Sequence, residues 1–191
     1  MRAMRRLYLV RHGETEWNAI GRLQGATDIP LNERGRDHGR TIAHRLLGQD
    51  ATEVVTSDLA RARETGEIVA RELGLPAPRI IPALRERAFG VFEGLTRDEC
   101  MVRHPEAWKR WQDQTGVPEG AEALAAATER MHAILRELAD APGGPAIVIS
   151  HGGVMRLWLV DLNGNPIAPL INGATYTCDR LDTGWTTSRF D

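Results

Sequence analysis

Lysine is almost missing from this chain. Lys109 is the only one, so arginine supplies nearly all of the 24 basic side chains. A P-loop or a Schiff-base mechanism would have to use Lys109, and no G-x-x-x-x-G-K-[ST] surrounds it. G-x-S-x-G, G-x-G-x-x-G and H-E-x-x-H are absent as well. The two cysteines, Cys100 and Cys178, lie far apart and form neither C-x-x-C nor Cys/His spacing. They are expected as reduced thiols, with no structural disulfide and no bound metal. Charge of one sign is also lacking: 24 basic against 26 acidic residues gives −2, which provides no global field to hold nucleic acid or anionic lipid. No apolar run reaches membrane-spanning length. The run at residues 7–10, behind the basic opening, is too short for a secretory h-region, so a cytoplasmic protein is expected.

What is present is the composition of a globular protein: 191 residues, 42% hydrophobic and 26% charged, enough for one domain over residues 1–191. Leu7-Tyr8-Leu9-Val10 is apolar without alternation, as in a strand buried on both faces of a parallel sheet. Glu53-Val54-Val55-Thr56 and Ala146-Ile147-Val148-Ile149-Ser150 read the same way. Between them the period turns helical. Ile42, Ala43, Leu46 and Leu47 share one face after Asn32, although Gly35 and Gly39 weaken that helix. Ser57 is placed to cap a second helix carrying Leu59, Ala62, Gly66, Val69 and Leu73. A third carries Ala123 or Leu124, Ala127, Met131, Ile134 or Leu135, and Leu138; another apolar helix covers residues 154–160. Asp182-Thr183-Gly184 separates two final strand-like runs as a hairpin. The alternation predicts an α/β fold, a three-layer α/β/α sandwich on a mostly parallel central sheet.

Two of the predicted strands end in His followed by Gly. In open α/β sheets ligands bind beyond the carboxyl ends of the strands, so His12 and His151 would stand side by side if those strands are neighbours. Arg11 and Arg61 add fixed positive charge. Two imidazoles and two guanidiniums, without an acidic cluster, describe a site for an anion such as a phosphoryl group rather than a metal. The cations would hold His12 as neutral imidazole, the form that attacks phosphorus. The leaving oxygen needs a proton, for which Glu86 is the preferred carboxyl group, with Glu93, Glu14 and Glu16 as competitors. Trp108 and Trp111, with Met101 and His104 upstream, fit either a lid over the substrate or a short helix packed on the core. His38, His44 and His132 are expected on helix surfaces.

Leu9-Val10-Arg11-His12-Gly13-Glu14-Thr15-Glu16-Trp17-Asn18 closely resembles the signature of the histidine phosphatase superfamily, phosphoglycerate mutase-like branch. Ser57-Asp58-Leu59-Ala60-Arg61-Ala62-Arg63-Glu64-Thr65 is similar to its second motif, Glu86-Arg87-Ala88-Phe89-Gly90-Val91-Phe92-Glu93-Gly94 to its third, and Ser150-His151-Gly152-Gly153 to its fourth. The four stand in the family's order. Gly66 departs from the alanine usual after the second motif. The resemblance implies that His12 becomes phosphohistidine, that Glu86 is the general acid, and that Arg11, Arg61 and His151 grip the phosphoryl oxygens. Asn18, Gln24 and the N–H of Gly152 match further phosphate contacts. No cofactor or metal is implied.

The family holds phosphatases and mutases. Mutases usually carry an inserted segment after the third motif, whereas only 26 residues lead from Gly94 to Gly120 here. With the aromatic-Glu-Gly of Phe92-Glu93-Gly94, this favours hydrolysis of a small phosphorylated metabolite. A cofactor-dependent phosphoglycerate mutase is the alternative. A non-catalytic phospho-ligand binding module would require loss of His12, Glu86 or a gripping residue, and all are present. Substrate identity, and the choice between monomer and homodimer, carry no sequence signal.

Overall fold

The computed structural model describes residues 4–190. Its strands are β1 (Leu7–Arg11), β2 (Glu53–Thr56), β3 (Arg79–Ile80), β4 (Ala146–Ser150), β5 (Thr175–Leu181) and β6 (Gly184–Phe190). They form one sheet in the order β3-β2-β4-β1-β5-β6. β1 to β4 run parallel, while β5 is antiparallel to β1 and closes the predicted hairpin with β6, Leu181 pairing with Gly184. The helices are α1 (Glu16–Ala19), α2 (Glu33–Leu46), α3 (Ala60–Glu72), α4 (Arg97–Arg103), α5 (Pro105–Gln112), α6 (Leu124–Asp140) and α7 (Gly152–Asn163).

The apolar runs of β1 and β4 are buried on both faces because helices cover both. Tyr8, Val10, Ile147 and Ile149 pack with Ile42 and Leu46 of α2 and Val69 of α3. Leu7, Leu9 and Val148, pointing the other way, pack with Met131 and Leu135 of α6 and Met155 and Trp158 of α7. The result is the expected three-layer sandwich. A separate apolar cluster, Phe92, Cys100 and Trp108, seats α4 and α5 beside the sheet's carboxyl edge.

The glycines that weaken α2 by propensity are required by packing. A Cβ on Gly35 would lie 2.0 Å from the Glu14 carbonyl oxygen, and one on Gly13 would lie 2.3 Å from the Gly35 oxygen. The loop after β1 therefore rests directly on the α2 backbone. Gly66 has a similar cause: a Cβ there would meet Thr56 Cγ2 at 2.8 Å, so its absence lets α3 lie close on β2.

Ser57 does not cap α3. The N-cap position is Leu59, which makes no side-chain cap bond, and Asp28 Oδ1 accepts the Ala60 N–H at 2.7 Å. A remote carboxylate thus caps the helix and leaves Ser57 free for another partner. His44 is exposed as expected, but His38 and His132 are half-buried. His132 Nδ1 accepts from the indole N–H of Trp158 at 3.1 Å, and its Nε2 donates to Asp161 at 2.8 Å, tying α6 to α7.

Candidate active site

β1 and β4 are parallel neighbours with Arg11 opposite Ser150, and the His12 N–H donates to the Ser150 carbonyl at 3.0 Å. This register delivers His12 and His151 together, with ring centroids 5.0 Å apart and planes tilted by 56°. Both are buried. His12 Nδ1 is 2.6 Å from the Gly13 carbonyl, which can only accept, so Nδ1 carries the proton and Nε2 keeps its lone pair. His151 has the opposite tautomer. Its Nδ1 accepts from Arg61 Nε at 3.3 Å, and its Nε2 donates to Ser57 Oγ at 2.7 Å.

Burial, then Arg61 and Arg11, hold His12 well below the ordinary histidine value of 6.5. Burial, then Arg61, does the same to His151. Both rings are neutral at neutral pH. Arg61 is almost fully buried and donates to the carbonyls of Thr27 at 2.8 Å and Gly25 at 2.8 Å, so its guanidinium is fixed before any ligand arrives. Burial lowers its pKa to about 10, which leaves it cationic. Arg11 Nη1 donates to the Leu170 carbonyl, while its Nε is buried without a partner among the described residues.

Glu86 lies in the loop after β3 and sets its carboxyl group at the start of α7, where Oε2 accepts from Gly153 N at 2.7 Å and Oε1 from Val154 N at 2.8 Å. Its own neighbour, Arg87 N, donates to Oε1 at 2.9 Å. The first-turn amides of a helix thus aim the carboxyl group. The competing carboxylates are used elsewhere or face solvent. Glu93 accepts from Ala26 N and Phe89 N, both at 2.9 Å, and ties two loops together. Glu14 accepts from Asn32, and Glu16 is exposed.

These groups face a cavity of about 870 Å³. Arg11, His12, Asn18, Gln24, Arg61, Glu86 and Gly152 all line it, whereas His151 stands behind His12 and forms no wall. Asn18 Oδ1 accepts from Thr15 N at 3.2 Å, leaving its NH2 for the cavity. Gln24 Oε1 is buried without a partner among the described residues. A Cβ at Gly152 would meet Arg11 Nε at 2.9 Å, so the bare glycine gives the guanidinium its passage. Trp108 and Trp111 sit on the short helix α5 with their rings packed edge-on against Phe92 at 5.2 and 5.5 Å, the packing alternative, and both border the cavity. Arg87 lies 3.8 Å from the Trp111 ring centroid as a second, cation-bearing wall.

Sequence reasoning missed Ser57 as the partner of His151, and Asn172, which reaches into the His12 loop. Among the described residues no three His, Cys, Asp or Glu side chains gather at metal-binding distance. None of the described helices is long and apolar enough to cross a membrane.

A phosphoryl-sized anion would meet a lone-pair nitrogen, the guanidiniums of Arg11 and Arg61, two side-chain amides and a carboxyl group at one sheet edge. Known proteins resemble this chain in sequence and in fold. A probable phosphoglycerate mutase of Cronobacter sakazakii is 36% identical over 168 residues, covering 85% of this chain and 77% of that protein. A metal-independent phosphoserine phosphatase of Arabidopsis thaliana is 34% identical over 185 residues, covering 94% and 78%. Among solved structures, a mycobacterial glucosyl-3-phosphoglycerate phosphatase complexed with VO3 superposes with a TM-score of 0.86 at 27% identity, covering 97% of this chain and 98% of that one. The family model of the histidine phosphatase superfamily, branch 1, matches residues 7–189, and the chain belongs to that family.

Proposed function

We propose that the chain is a phosphomonoesterase working through phosphohistidine at His12. The observation that carries this is the His12 Nδ1 bond to the Gly13 carbonyl, which leaves Nε2 unprotonated at the cavity beside Arg11 and Arg61. In the first step the Nε2 lone pair forms a bond to phosphorus while the bond to the leaving oxygen breaks. Glu86, entering as the acid, gives that oxygen its proton. In the second, Glu86 takes a proton from water, the hydroxide oxygen bonds to phosphorus, and the N–P bond breaks to release phosphate. Arg11, Arg61 and the amides of Asn18 and Gln24 neutralise and orient the phosphoryl oxygens, with the Gly152 N–H at the opening of α7. His151, expected among the phosphate contacts, instead has Nδ1 taken by Arg61 and Nε2 by Ser57 and supports Arg61 from behind His12.

The substrate is a small phosphorylated metabolite with a second anionic group. Arg87, Arg97 and Arg156 add cations to the cavity wall, whereas its Arg22 and Glu122 are already paired, with Glu99 at 2.6 Å and Arg130 at 2.7 Å. The relatives' phosphoserine and glucosyl-3-phosphoglycerate carry carboxylates of this kind. A mutase reaction is the second reading, supported by the Cronobacter relative.

Phosphate release by wild type and His12→Ala from an aryl phosphate, phosphoserine, 3-phosphoglycerate and a neutral phosphorylated alcohol tests both readings, with mass spectrometry for phosphohistidine. Hydrolysis lost in the variant, with preference for the carboxylate-bearing esters, is expected. Phosphohistidine with isomerised phosphoglycerate and no net release would establish the mutase instead.

A further inference from the structure

The side chain of Asn172 stands in the loop just before β5 and has no place in the chemistry above. Its single NH2 faces three acceptors: the His12 carbonyl at 3.2 Å, the Gly13 carbonyl at 3.1 Å and Asn18 Oδ1 at 3.1 Å. Two of these bear directly on the site. The Gly13 carbonyl is the same oxygen that accepts His12 Nδ1 at 2.6 Å and so determines which ring nitrogen is free. Asn18 Oδ1 is the end of that amide turned away from the cavity.

We propose that Asn172 is a positioning residue that holds the His12 tautomer and the Asn18 amide in register with one another. The Gly13 peptide is held at both ends: Gly13 N donates to Thr65 Oγ1 at 3.0 Å, and Asn172 draws its carbonyl from the other side. That carbonyl cannot swing away from Nδ1 without losing Asn172. The same NH2 joins Thr15 N and the Thr15 hydroxyl in holding Asn18 Oδ1, so the Asn18 donors stay directed at the phosphoryl oxygens. The loop that carries Asn172 is itself anchored to the strand of the nucleophile. Gly173 N donates to the Arg11 carbonyl at 3.0 Å, and Arg11 N donates to the Ala174 carbonyl at 2.9 Å. Removing the Asn172 side chain therefore leaves the loop in place and deletes only the three contacts.

This inference rests on the phosphohistidine reading and predicts something that reading does not require. Asn172→Ala should lower kcat by about 10- to 100-fold through misplacement of the nucleophile, with KM rising less than kcat falls. Asn172→Asp, of equal size but without donors and with a carboxylate aimed at three oxygens, should be at least as impaired. Nitrogen-15 NMR of the His12 ring should show the Nδ1–H tautomer in wild type and a mixture in Asn172→Ala, a change that a merely loosened loop would not produce. Thermal melts of both variants show whether the fold persists; if Asn172→Ala fails to fold, Asn172→Asp carries the test. A folded variant with wild-type kcat, or with the His12 tautomer unchanged, overturns the proposal. Wild type that forms no phosphohistidine overturns the underlying reading instead, and the two failures are distinct.

Discussion

Ser57 Oγ stands 2.7 Å from His151 Nε2, while Arg61 Nε donates to the other nitrogen of the same ring. The ring is thereby fixed in one tautomer and one orientation. Ser57→Ala leaves a buried N–H without its acceptor and frees the ring to turn. A loss of about tenfold in kcat is expected, the scale of one buried hydrogen bond. Steady-state kinetics with a single substrate checks it, and an unchanged kcat would show that His151 is held by Arg61 alone.

Glu86 and Glu93 are both partly shielded carboxylates, yet only Glu86 lines the cavity. Glu86→Gln should slow hydrolysis of an alkyl phosphate by about 100- to 10,000-fold, the range for losing a general acid. In kcat/KM, which reports the phosphorylation step, the loss should be much smaller for a nitrophenyl phosphate, whose leaving group needs no proton, while hydrolysis of phosphohistidine slows equally for both esters. Glu93→Gln weakens the ties to Ala26 and Phe89 and should affect both substrates equally. A Glu93 variant that discriminates between leaving groups would reverse the assignment.

Gly66 and Thr56 form a matched pair across α3 and β2. Gly66→Ala sets a methyl group 2.8 Å from Thr56 Cγ2 and should cost about 1–3 kcal/mol by overpacking, despite the better helix propensity of alanine. Adding Thr56→Ser removes the opposing methyl and should return part of that loss. Urea unfolding of the two single variants and the double variant measures the coupling. Simple additivity would refute the contact.

Acid should destabilise the protein through its two central histidines. Both are held neutral in the folded state, whereas an unfolded histidine takes up a proton near 6.5. The unfolded chain then binds more protons, and stability falls as pH drops below that value and toward the lowered folded-state values. Each ring contributes to that loss as pH falls through the unfolded value toward the lowered folded one. His151→Gln, which cannot titrate, should therefore lose less stability than wild type on acidification. Equal losses in urea midpoints would show that His151 is not held neutral.

The sheet and most of the site were legible because they rest on periodicity and strand ends. Apolar runs without alternation marked β1, β2 and β4, and the His-Gly endings placed His12 and His151 at one edge. Ser57 was misread because a serine before a helix has two uses, and local spacing does not reveal that Asp28, distant in sequence, already serves the helix. Gly35 and Gly66 counted against their helices on propensity alone, since the backbone they approach belongs to other elements. Asn172 carried no signal at all. A loop amide gains its meaning only from the carbonyls that the fold brings to it.

The order β3-β2-β4-β1-β5-β6 bears on how the molecule is made. Of the six strands β1 is made first, and both of its neighbours in the sheet, β4 and β5, are made only after β2 and β3. Until residue 150 has emerged, Leu7 to Val10 have no strand to pair with, and His12 has no Ser150 carbonyl to receive its N–H. A nascent chain thus keeps His12 apart from His151 until β4 has been made, and the two rings come together only with that late, long-range pairing.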